Sequence, residues 1–260
     1  MKRIDFNGTQ LWQFENFSRE DNIRHFVTDR KSVTAPNEFT LSYSSSPDKE
    51  EIKSNRRLLA EAMRIAETSL YFPSQVHKVR IVNVTSRTVK EELMETDALI
   101  TNQPGLCIAV MSADCVPILL YDKKNQAVGA VHSGWRGTVA KILSKTLEEM
   151  QRVFGTKGED VIAGIGPSVC QDSYEVGEEV VNEVNSAFGK DVGLMIPQAN
   201  NKAKLDLWKA NKFQLLDFGV RENAIEVSDL CTVKNNSHFF SARKGDAGRF
   251  AAGIMLSPEK

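Results

Sequence analysis

The chain is short of the residues that most often announce a function. Its 260 residues contain only 4 cysteines and 4 histidines. Cys107, Cys115, Cys170 and Cys231 are too few and too scattered for a disulfide scaffold. Four imidazoles also fall short of a multinuclear copper cluster. An excess of either charge is missing too: 33 Lys and Arg face 34 Asp and Glu. That balance excludes a polybasic nucleic-acid surface and still allows a local basic pocket. No uncharged apolar run exceeds about the length of a strand, so none reads as a membrane span. The opening MKRIDFNGTQLWQF lacks the apolar stretch of a secretory signal. The expected setting is cytoplasmic, with neither nucleic acid nor membrane as partner.

What is present is enough apolar material for a core, 41% of residues, without repeats or low-complexity linkers. A single domain over 1–260 is the expectation, of mixed α/β class. Apolar residues at helical intervals predict helices over Glu50–Ser69, Thr138–Phe154, Glu175–Phe188 and Leu207–Phe218. Strands are expected at Arg80–Val84, Cys107–Met111, Pro117–Tyr121, Ala127–His132, Val161–Ile165, Ala224–Val227 and His238–Ser241. The near-continuous apolar runs at 117–121 and 127–132 suit strands covered on both faces. Ser44–Pro47 and Ser86–Glu92 read as loops.

Chemistry concentrates at strand ends. His132 precedes Ser133-Gly134-Trp135-Arg136-Gly137. There Arg136 and the N–H groups expected to be free at a helix start, at Gly137 and Thr138, suit an anion. Cys115 follows Asp114 and stands across a short two-strand unit from His132. His77 interrupts the apolar pattern in Gln75-Val76-His77. Two imidazoles and a thiolate suit zinc and leave a fourth position vacant, as catalytic sites do. The same residues admit other uses: Cys115 with His132 as base forms a cysteine-hydrolase dyad, and a His/Cys/His set also holds mononuclear copper. Asp97 and Asp114 are placed to orient an imidazole or move a proton. Gly166 suits close approach of backbone to a ligand, Tyr174 a pocket cap, and Arg243 a second anion clamp. His238 reads as packing or surface, and His25 has the weakest claim to a site.

These blocks resemble one family. Gln75-Val76-His77, Asp97-Ala98-Leu99-Ile100-Thr101, Ala113-Asp114-Cys115-Val116-Pro117, His132-Ser133-Gly134-Trp135-Arg136-Gly137, Gly166-Pro167-Ser168 with Tyr174-Glu175-Val176, and Cys231-Thr232 with Phe240-Ser241 and Gly248-Arg249 are similar to the purine nucleoside phosphorylase laccase-domain family, long labelled multicopper polyphenol oxidases. The resemblance runs from about Leu41 to the end. It implies a four-layer α-β-β-α sandwich related to the toxin-like cysteine deamidases. It implies one zinc per chain, on His77, Cys115 and His132. It also implies phosphate-dependent cleavage of adenosine, inosine, guanosine and methylthioadenosine, with adenosine deamination alongside.

On this reading Arg136, Arg243, Gly137 and Thr138 gather phosphate, Tyr174 caps the substrate, and Asp114 moves a proton in deamination, with Cys115 and His132 catalytic as well as ligating. The partners are then purine nucleosides and inorganic phosphate, and the chain a monomer or small homo-oligomer. The alternatives are a hydrolase or amidase using Cys115 and His132, a copper-dependent laccase-like oxidase, and a non-catalytic metal-binding interaction protein. Two positions depart from the family pattern. Lys78 stands where glycine is common, and Ala242 where a bulkier residue is common.

Overall fold

The computed structural model describes residues 1–6, 8–31, 38–44, 48–190 and 192–258. Three strands open it, Lys2–Phe6 (β1), Thr9–Gln13 (β2) and Ile23–Thr28 (β3), followed by helix Lys49–Met63 (α1). Leu70–Tyr71 (β4), Ile81–Asn83 (β5), Ala98–Thr101 (β6), Cys107–Ser112 (β7), Val116–Asp122 (β8) and Ala127–Ser133 (β9) come next. Helices Trp135–Val139 (α2) and Ile142–Phe154 (α3) lead to Val161–Ile165 (β10), Glu175–Val176 (β11) and helix Glu178–Phe188 (α4). Met195–Pro197 (β12), Ala203–Leu205 (β13), helix Leu207–Asp217 (α5), Ile225–Val227 (β14) and Phe250–Leu256 (β15) complete the order.

The strands form two six-stranded sheets, β1-β2-β3-β15-β7-β4 and β14-β10-β8-β9-β6-β5, with a small sheet β11-β13-β12 beside them. The period-two alternation of a strand sorts their side chains. On β8, Val116, Ile118 and Leu120 pack with Leu143, Leu147 and Met150 of α3, while Leu119 and Tyr121 point the other way. There they meet Ile108 and Val110 of β7 and Ile254 of β15, so one core lies between the sheets. Cys107, Ala109, Ala251 and Met255 pack instead with Leu59 and Met63 of α1. Strands such as β8 and β9 are therefore buried on both faces, which is why they read as unbroken apolar runs.

Several expected boundaries move, each for a local reason. The helix expected over Thr138–Phe154 is two helices, broken where Lys141 takes a left-handed φ of 60°. The one expected from Glu175 starts at Glu178, because Glu175 and Val176 pair with β13. The one expected to reach Ser69 stops at Met63, where Arg64 turns left-handed. No strand forms at His238–Ser241: the N–H groups of His238 and Phe239 both turn back to the Asn235 carbonyl. Of the loop expected at Ser44–Pro47, residues 45–47 lie outside the described residues. Among the described residues no helix is long and apolar enough to cross a membrane.

Candidate metal centre and active site

Two chain connections and a strand end carry the central side chains. His77 lies between β4 and β5, Cys115 at the crossing from β7 to β8, and His132 near the end of β9, opposite Pro117. His77 Nε2 is 3.7 Å from Cys115 Sγ. The His77 and His132 rings meet edge-on with centroids 4.9 Å apart. One potential ligand atom from each residue falls within 4.8 Å of the others, the one such cluster among the described residues. Tetrahedral zinc places sulfur and nitrogen ligands about 3.6 Å apart, close to the separation here.

Asp97, at the entry to β6, organises this cluster. Its carboxylate accepts the backbone N–H groups of Val76 (3.2 Å), His77 (2.9 Å) and Lys78 (2.9 Å). Those bonds hold His77 at its left-handed φ of 61°. The same carboxylate pairs with His132 Nδ1 at 2.8 Å. That leaves Nε2 of His132 facing the cluster, an orientation metal-binding imidazoles share. Burial would raise the Asp97 pKa, but His132 and the backbone donors outweigh it and hold the group below its ordinary range. Burial likewise pushes the Cys115 thiol up, and His132 and then His77 bring it down to about 6. His132 moves in the opposite direction: burial lowers it, and Cys115 with Asp97 raise it to about 9. These opposite shifts favour a thiolate beside an imidazolium.

Gly134 leaves the space the cluster occupies. A Cβ there would stand 2.8 Å from Cys115 Sγ and 3.1 Å from His77 Cδ2. In the sequence Gly134 is only one position of a motif, and its steric role emerges when residues 77 and 115 are brought beside it. Gln75, quoted above only as part of a motif, exchanges both amide hydrogen bonds with the Met111 backbone, at 2.7 and 2.8 Å. It thereby ties the His77 loop to β7.

A cavity of about 750 Å³ opens over His77, Cys115 and His132. Its lining includes Arg56, Lys90, Arg243 and Arg249, with Asp114 the lone carboxylate there among the described residues. Asp114 accepts from Thr232 Oγ1 at 2.5 Å and from the Arg243 backbone N–H at 2.8 Å. The Arg243 guanidinium stacks on the Tyr174 ring at 4.7 Å and donates to the Glu175 carbonyl. Burial and the negative charge of Cys115, opposed by Arg243, push the Tyr174 hydroxyl up to about 12. It stays a proton donor across the working pH range.

The other sequence candidates differ in whether they reach the cavity. Thr138 offers no free N–H, because it donates to the Gly134 carbonyl inside α2. Its hydroxyl is buried against Ser133 and Asn211. Gly137 is buried beneath Ile142. Arg136 is exposed over the Trp135 ring and does not line the cavity, although its charge acts on Tyr174. Gly166 serves packing: a Cβ there would meet Pro117 Cγ at 2.9 Å. Lys78 turns to Glu95, 2.9 Å away, and not to the cavity, whereas Ala242 does line it. His25 is buried and accepts the Phe14 N–H at 2.9 Å. His238 pairs with Asp29 at 2.9 Å, so both remaining imidazoles have partners away from the cluster.

A mixed α/β protein with two six-stranded sheets and a three-ligand metal cradle under a cationic cavity is thereby defined. Residues 24–257 match the model of the multi-copper polyphenol oxidoreductase laccase family, and the chain belongs to that family. It is 40% identical to a purine nucleoside phosphorylase of Bacteroides thetaiotaomicron, over 94% of this chain and 95% of that one. It is 34% identical to adenosine deaminase RL5 of an unknown prokaryotic organism, over 90% and 94%. The crystal structure of hypothetical protein YfiH of Bacillus licheniformis superposes with a TM-score of 0.89 at 25% identity, covering 97% and 98% of the two chains. Strands β1–β3 extend the fold upstream of the motifs.

Proposed function

We propose that the chain is a zinc-dependent purine nucleoside phosphorylase, acting on adenosine, inosine, guanosine and methylthioadenosine, with adenosine deaminase activity at the same site. The observation that carries this reading is the convergence of His77, Cys115 and His132, oriented by Asp97, beneath a cavity whose charges favour an anion. Zinc would be held by His77 Nε2, Cys115 Sγ and His132 Nε2. Bound there it would supply a Lewis acid at the cavity floor. We assign phosphate binding to Arg243, with Arg136 adding long-range positive potential. Tyr174 stays assigned as the substrate cap: it lies outside the cavity lining but stacks under Arg243, and it keeps its proton. Asp114, with a hydrogen bond on each oxygen, holds the Arg243 turn in place and retains lone pairs to accept a proton in deamination.

The three packed cores support one domain over 1–260, a four-layer α-β-β-α sandwich related to the toxin-like cysteine deamidases. The thiolate–imidazolium pair favours a second reading, a hydrolase with Cys115 as nucleophile. His77, within ligand distance of the same sulfur, favours the metal. Metal analysis combined with a nucleoside panel separates them. We expect about one zinc per chain, ribose 1-phosphate only when phosphate is supplied, and loss of metal and both activities in Cys115→Ala. Deamination at full rate by metal-free protein would refute the assignment.

A further inference from the structure

Away from the metal cradle, Cys170 and Cys231 sit together on two segments joined by a single bridge between Ser168 and Cys231. Both are free thiols. The Cys170 backbone N–H donates to Cys231 Sγ at 3.3 Å. Ser173 Oγ lies 3.5 Å from the Cys170 sulfur and 3.8 Å from the Cys231 sulfur, bridging the two. The Lys234 backbone N–H and the Cys170 thiol also point at Cys231. The Lys234 ammonium, 2.8 Å from Asp172, adds positive charge to both cysteines. Burial opposes ionisation, and these donors outweigh it, so the Cys231 thiol is shifted down. Convergent donors around sulfur are the environment of a reactive thiolate. Cys107 is the contrast: fully buried in an apolar core, its thiol is pushed up.

Access is present as well. A second cavity of about 320 Å³, sharing no lining residue with the first, is lined by both sulfur-bearing residues together with Asp172, Trp208 and Lys234. We propose that Cys170 and Cys231 form a peroxide-responsive dithiol, with Cys231 the attacking and Cys170 the resolving residue. The Cys231 thiolate attacks the terminal oxygen of a small hydroperoxide. The O–O bond breaks, an S–O bond forms, and the departing alkoxide or hydroxide takes up the proton Cys231 had lost. The Cys170 sulfur then attacks the sulfenic sulfur and expels hydroxide, which leaves as water with the Cys170 proton. Two thiols are oxidised to one disulfide while one peroxide is reduced to water and an alcohol, or to two waters.

The pair adjoins the groups that hold Asp114. The Val169 N–H donates to the Asp114 carbonyl at 3.0 Å, and the Thr232 hydroxyl to its carboxylate. Cross-linking the neighbouring residues therefore bears on the wall next to Cys115. The dithiol itself does not depend on what that site catalyses.

The test treats the full-length, zinc-supplemented protein with hydrogen peroxide, followed by alkylation and tryptic peptide mapping. Cys170 falls in Gly158–Lys190, Cys231 in Glu222–Lys234, and Cys115 in Glu91–Lys123 together with Cys107, where peptide fragmentation tells the two apart. The expected product joins the first two peptides, two hydrogens lighter than their sum, and dithiothreitol reverses it. In Cys170→Ser, and in Cys170→Ala should the serine variant not fold, Cys231 is trapped by dimedone as the sulfenic acid. Cys231 remaining a free thiol while Cys115 oxidises, or passing to the sulfinic acid in the wild type without joining Cys170, overturns the proposal.

Discussion

At the scale of single residues, Gly134 leaves the room in which Cys115 Sγ and the His77 ring approach each other. His77, Cys115 and His132 stand out because their chemistry is scarce in this chain. Gly134 does not stand out, because its role depends on residues distant in sequence meeting over it. Gly134→Ala should lower zinc affinity, since its methyl group would press on Cys115 Sγ and His77 Cδ2. Competition with a chromogenic chelator reads this directly, and unchanged affinity would deny the glycine that role. His25 makes a different residue-scale prediction. Burial holds its pKa down to about 3, so the folded protein leaves it neutral. The unfolded chain protonates it below about 6.5 and there binds more protons than the native state. Its contribution is thus complete above pH 6.5 and is lost as the pH falls toward 3, by about 1.4 kcal/mol per pH unit. Urea midpoints from pH 7 to 4 should fall more steeply for the wild type than for His25→Gln, which retains an acceptor.

At the scale of elements, legibility followed local pattern. Strands β8 and β9 and helix α5 lie close to where hydrophobic runs and periodicity put them. β1 is short and largely solvent-facing, and β15 is interrupted by Gly253, so neither shows a clean local signal. The left-handed turn at Lys141 is equally invisible, because lysine carries no preference for that conformation. The loop before β5 shows how an element boundary becomes part of a site: one buried carboxylate accepts three successive backbone donors and an imidazole. Asp97→Asn replaces one acceptor oxygen with an NH2 group facing those donors. Zinc affinity should drop about 10- to 100-fold, as for other groups that orient metal ligands. Amide exchange at 76–78 should accelerate at the same time. Slow exchange retained alongside normal zinc binding would show that Asp97 does not organise the loop.

At the scale of the molecule, the decisive pairings are long-range, which is why the sheet order was not readable from one chain. β15, near the C-terminus, lies between β3 and β7, and so pairs at once with an N-terminal and a mid-chain strand. The metal cradle repeats that logic. His77 joins β4 of one sheet to β5 of the other, and Cys115 joins β7 to β8 in the same sense, while His132 belongs to the second sheet alone. An ion shared by the three would tie these two crossings between the sheets to β9, and unfolding would have to release it. With free zinc at one hundred times its Kd, mass action adds about 2.7 kcal/mol to the unfolding free energy, less any affinity of the unfolded thiols. Urea unfolding of chelator-stripped protein should therefore shift to higher denaturant when zinc is restored, and Cys115→Ala should show no shift. An equal shift in that variant would place the stabilising ion elsewhere in the molecule. A shift in the wild type alone would identify the crossings as the point where metal binding and folding are coupled.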